Sequence, residues 1–236
     1  MKKILVAMLF APLMAFASGA ALHLDKWPGS VSDKPALQNG AKLFVNYCLN
    51  CHGASYMRYN KLTELGLTEQ QIKDNLMFTA EKIGEPMRVA ARAGEQKLWF
   101  GATPPDLTVI ARARGSADGP GSDWLYTYLR QFYRDDSRPT GWNNLAFENV
   151  GMPHILWELQ GEQILNKDRK LELAVPGKLS PKEYDKAVSD LVGFMVWMGE
   201  PTQEQRQQLG WIVLAFLAVL FVFAYKLKKE YWKDIH

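Results

Sequence analysis

Residues 48–52 read Cys-Leu-Asn-Cys-His, and Cys48 and Cys51 are the two cysteines of a 236-residue chain. Two thiols separated by two residues admit four chemistries, and each makes a different demand on the rest of the chain. A disulfide across so short a loop adds little stability. A dithiol redox pair expects a preceding strand and a βαβ setting, and no such pattern precedes Cys48. Zinc needs four ligands, and the other histidines, His23, His154 and His236, form no second cluster. Covalent haem attachment uses all three residues: the thiols add to the haem vinyl groups as thioethers, and the adjacent histidine turns onto the iron. The motif therefore points to haem c.

Haem iron has a second axial position, and its occupant sets the chemistry. Met57 is too near His52 to reach the opposite face. Met195 and Met198 lie on an apolar helical stripe, where core packing is the simpler role, and Met77 and Met87 lie near helical stretches. Met152 stands in "ENVGMPHIL", between Gly151 and Pro153. A residue before proline is pushed toward extended backbone, and glycine permits close approach, so this loop suits a thioether aimed at a haem face. His154, two residues on, is the rival and would give bis-histidine ligation. Haem propionates seek cations, and "ARARG" offers Arg112 and Arg114.

The two ends concern membranes. "MKKILVAMLFAPLMAFASGA" has a basic start, a short apolar run interrupted by Pro12, and small residues at Ala15, Ala17 and Ala20. It predicts a signal peptide over 1–20, with Ala17 or Ala20 as the cleavage point. Residues 209–225, "LGWIVLAFLAVLFVFAY", carry no charge and predict a transmembrane helix, with Trp211 and Tyr225 at its interfaces. Lysines after the span set the C-terminus in the cytoplasm. The signal peptide gives the same topology. Without these basic ends the body holds 22 Lys+Arg against 23 Asp+Glu, which is no nucleic-acid-binding surface.

Between the ends the pattern is mainly α with long loops. The periodicity predicts a helix over 36–51, with Leu37, Ala41, Phe44 and Cys48 on one face and Gly53 as its stop. Thr68 with Gln71 predicts a short helix. A short helical stretch ends at Gly115, and "GSADGPG" is a loop. Asp123 is a candidate cap for a helix over 124–134. Ser180-Pro181-Lys182-Glu183 is a capping box with proline at the first helical position. Tyr184, Val188, Leu191, Met195 and Met198 form the stripe that follows it. Pro201 breaks that helix, and the next starts near Thr202.

Taken in order, "CLNCHGASYMRYN", "PPDLTVIARARG", "GMPH" and the "MGEPTQEQRQQLGW" junction before a single C-terminal span resemble the cytochrome c1 family. The resemblance implies a mono-haem cytochrome c-like domain over 21–201 and an anchor with a short tail over 202–236. It implies one covalent haem c on Cys48 and Cys51, with His52 and Met152 as axial ligands and Arg114 at a propionate. It further implies single-electron transfer from the Rieske iron–sulfur protein to a soluble or membrane-bound cytochrome c acceptor. The setting would be a dimeric respiratory bc1 complex with cytochrome b, in a bacterial inner membrane. The haem domain would lie in the periplasm and the chain would carry no catalytic site of its own. Residues 163–175 match less readily, and no partner contact is assigned there.

Overall fold

Helix α1 spans Lys34–Leu43, and its buried face is the one that carries Leu37 and Ala41. The computed structural model describes residues 22–234; the signal-peptide reading of 1–20 lies outside them. Asp33 starts α1, its carboxylate accepting the Ala36 N–H at 3.1 Å. The helix does not run on to Cys51. It widens into a π turn over Phe44–Cys48, and the amides of Cys51 and His52 both fold back onto the Cys48 carbonyl, at 3.1 and 2.8 Å. That turn ends the helix ahead of Gly53 and sets both thiols and the histidine on one bend.

The partner of α1 is α7, Pro181–Gly199. Its capping box is formed: the Ser180 amide donates to Glu183 at 2.9 Å, and the Glu183 amide donates back to Ser180 Oγ at 3.4 Å. Tyr184, Val188, Leu191, Met195 and Met198 are all buried, each contributing about 1.5–3 kcal/mol of transfer free energy. The two helices cross at Gly40, where a Cβ would fall 2.1 Å from the Asp190 carbonyl oxygen. Residues 22–33 strap across the same face, with Trp27 Nε1 donating to the Ser189 carbonyl at 3.0 Å.

The middle of the chain is built from short pieces. Strand β1, Ala54–Arg58, pairs antiparallel with β2, Pro86–Met87, and a 3-10 turn covers Tyr59–Leu65. Helix α2, Glu69–Asn75, opens on the predicted Thr68 capping box. Helices α3, Ala93–Phe100, and α4, Ile110–Ala113, follow. Helix α5 spans Gly121–Arg130, not 124–134, and Pro120 rather than Asp123 precedes it. Asp123 instead accepts the Trp27 N–H at 3.0 Å. The start of α5 is set by packing: a Cβ on Gly121 would lie 2.0 Å from the Ala111 carbonyl oxygen, so glycine lets α5 close on α4.

Phe132–Arg134 is not helical but β3, paired with β4, Trp142–Asn144. After α6, Trp157–Gln160, the segment that resisted matching proves to be a hairpin of β5, Gly161–Leu165, and β6, Leu171–Pro176. Helix α8, Gln203–Tyr231, leaves the domain after Pro201 with none of its side chains buried. At 1.5 Å per residue it is about 44 Å long, and it is long and apolar enough to cross a membrane. Its base is tied back to the domain by Glu200, which meets Arg112 at 3.3 Å and also pairs with Arg206.

Candidate haem site

Cys48 is buried, Cys51 is half-buried, and both thiols are free. Burial, with the neighbouring Cys51 second, pushes the Cys48 thiol up to about 12. A neutral thiol is a poor partner for disulfide exchange, which needs the thiolate. The bend is held from outside by α3, whose Gln96 side chain is buried and donates to the Cys51 carbonyl at 2.8 Å.

His52 points one nitrogen at a carbonyl. Its Nδ1 lies 2.7 Å from the Pro105 oxygen. A carbonyl only accepts, so Nδ1 carries the proton and Nε2 keeps its lone pair, the tautomer a metal needs. Burial holds His52 below the ordinary histidine range, partly offset by the Pro105 carbonyl and by Asp106. Pro105 is itself fixed. Asp106 accepts the Ser55 amide at 2.7 Å and the Thr108 amide at 2.9 Å, and the Leu107 amide donates to the Gly53 carbonyl at 2.8 Å. Burial opposes the charge on Asp106, but the hydrogen bonds from Thr108 and Ser55 outweigh it and hold its carboxyl below the usual range.

Met152 is half-buried on a loop whose two ends are anchored. Upstream, Asn149 adopts left-handed backbone at φ 63°. Its side-chain oxygen and its carbonyl each accept from Arg138 at 3.0 Å, and its amide donates to Asn143 at 2.9 Å. Downstream, His154 is buried, stacked on Phe132 at 4.8 Å and edge-on to Trp142 at 5.0 Å. Burial pushes His154 down to about 4, so it is a neutral core residue. Between these anchors the Met152 sulfur accepts the Tyr128 hydroxyl at 3.3 Å. Among the described residues other than its chain neighbours, no atom lies within 4 Å of a Cβ built on Gly151, so the close approach expected there is not made by these residues.

Of the two candidate arginines, Arg112 is spent on Glu200 at the base of α8. Arg114 lies over the Trp124 ring, 4.4 Å from its centroid, and faces Phe147 at 5.7 Å. Trp124 stacks on Tyr128 at 4.8 Å. Arg114, Trp124, Tyr128 and Met152 thus form one row of contacts. Cys48, Cys51 and His52 form a second group, and the segment from Pro105 through α4 to Arg114 joins the two. Tyr128 and Gln96 lie in no motif; Pro105 and Asp106 both lie in "PPDLT", where a carboxylate two residues before threonine signals a local turn.

A model of the "Cytochrome C1 family" matches residues 25–235. The chain belongs to the cytochrome c1 family. An Allochromatium vinosum cytochrome c1 is 43% identical over 250 residues, covering all of both chains. A Nitrosomonas europaea protein named ammonia monooxygenase gamma subunit is 50% identical over 236 residues, covering all of this chain and 98% of that one. A Rhodospirillum rubrum cytochrome c1 is 28% identical over 254 residues, covering 92% and 89%. Cytochrome c1 proteins bind haem c covalently, are membrane-anchored and serve electron transfer in a bc1-type complex. The donor set fits that cofactor: two free thiols on one bend, and a histidine whose outer nitrogen is bonded away.

Proposed function

We propose that this chain carries single electrons from a Rieske iron–sulfur protein to a soluble or membrane-bound cytochrome c acceptor, alongside cytochrome b in a dimeric respiratory bc1 complex. The observation that carries the reading is the His52 Nδ1 contact with the Pro105 carbonyl at 2.7 Å, beside two free thiols. Bound haem c supplies a one-electron change between ferric and ferrous iron. Cys48 and Cys51 would hold it through thioethers, and His52 Nε2 and the Met152 sulfur would fill the two axial positions. Arg114, free of any carboxylate among the described residues, suits a propionate, whereas Arg112 is already paired. Held by both His52 and Met152, the iron would offer no open site to a substrate.

In this reading residues 1–20 are a signal peptide, 21–201 the periplasmic haem domain, and 202–236 an inner-membrane anchor with a cytoplasmic tail. The basic residues Lys226, Lys228 and Lys229 at the end of the apolar run support that orientation. The name of the Nitrosomonas relative raises a second reading, a subunit of an ammonia monooxygenase. Purification from membranes in mild detergent separates the two. Co-purification of b-type haem and a Rieske centre supports the bc1 reading. Co-purification of a monooxygenase without them supports the other.

A further inference from the structure

The Met152 sulfur already has a protein partner. Tyr128 donates its hydroxyl to that sulfur at 3.3 Å. A thioether sulfur has two lone pairs, so one can accept this hydrogen bond while the other faces a metal. The donor is held on two sides. Its ring is buried, stacked on Trp124 at 4.8 Å and 13°, and edge-on to Phe132 at 5.1 Å. Along α5, Trp124 and Tyr128 are four residues apart and share a face, which aligns the row from Arg114 to Met152. A hydroxyl buried in this way and deprived of its acceptor loses a hydrogen bond that nothing replaces.

We propose that Tyr128 is a positioning residue of the redox site: its hydroxyl holds the Met152 thioether in place and draws electron density from the sulfur, which favours ferrous over ferric iron. The inference rests on the reading of Met152 as an axial ligand. Sulfur donation stabilises the more positive ferric state, and a hydrogen bond to an iron ligand is a recognised lever on potential. A phenol keeps its proton at neutral pH, so the Tyr128 hydroxyl is available for donation to the sulfur.

The test is redox titration of the detergent-solubilised membrane complex. Tyr128→Phe keeps the ring stack and removes only the hydroxyl. It is expected to retain the methionine-to-iron charge-transfer band and to lower the ferrous-to-ferric ratio at fixed poise by about three- to tenfold, tenfold being about 59 mV for one electron. Placing 3,5-difluorotyrosine at 128, a stronger donor of similar shape, should shift the ratio the other way. An unchanged ratio in both proteins overturns the inference. Loss of the band in Tyr128→Phe with an unshifted difluorotyrosine protein also overturns it, and makes Tyr128 a packing residue. Met152→Leu is the separate arm. If it keeps the band, the axial-ligand reading falls and takes this inference with it. If it loses the band while both Tyr128 proteins are silent, only the inference falls.

Discussion

His52 depends on groups far from it in the chain. Its imidazole is oriented by a carbonyl 53 residues away, and that carbonyl is held by Asp106 through Ser55 and Thr108. Asp106→Ala should therefore loosen the loop under His52, with a loss of about 1 kcal/mol in a denaturant melt, and Asp106→Asn should lose less. An unchanged melt would remove Asp106 from this role. The pH dependence has a definite sign. A carboxyl held below its unfolded range contributes stability above that range and loses it as pH falls through the folded value. The wild-type advantage over Asp106→Ala should thus be full at neutral pH and fade in acid. As candidates, the attachment motif, Met152 and Arg114 were legible in the sequence because each sits in a short local pattern. Gln96 and Tyr128 were not, because the groups they serve lie 45 and 24 residues away. An isolated glutamine or tyrosine carries no sign of such a partner.

Among the elements, legibility followed capping and length. Helices α2 and α7 open on the capping boxes read from Thr68 and Ser180, since those signals are written within four residues. The start of α5 is not written locally: Asp123 has the chemistry of a cap, while a close contact at Gly121 decides the boundary. The hairpins were invisible because β3 and β4 are three residues long, too short for alternation to register, and β6 leaves nearly all its residues exposed, with no buried face to mark it. The crossing of α1 on α7 gives the sharpest prediction at this scale. Gly40→Ala inserts a methyl 2.1 Å from the Asp190 carbonyl oxygen, so the helices must separate. The expected cost is about 1–3 kcal/mol, read as a lower midpoint in thermal unfolding. A neutral effect would mean the crossing can relax.

Among the described residues a packed body precedes α8, which stands off it as an apolar stalk. The core lies between α1 and α7, the site hangs on loops around their ends, and α8 contributes no buried residue. The salt links of Glu200 to Arg112 and Arg206 tie the base of that stalk to the segment that also carries Arg114. With both arginines exposed, solvent screens these pairs, so they set direction more than stability. The anchor was legible as an uncharged apolar run, and the helical class followed from periodicity. The relation between the Cys48–His52 bend and the row from Arg114 to Met152 was not, because it is a property of the fold. The most direct test is rapid mixing of the purified membrane complex with quinol, following the covalent haem on this chain. Reduction is expected in the wild type, to be abolished by removing the Rieske protein and disturbed by Met152→Leu. A haem on this chain that stays oxidised, or is reduced equally well without the Rieske protein, would contradict the account.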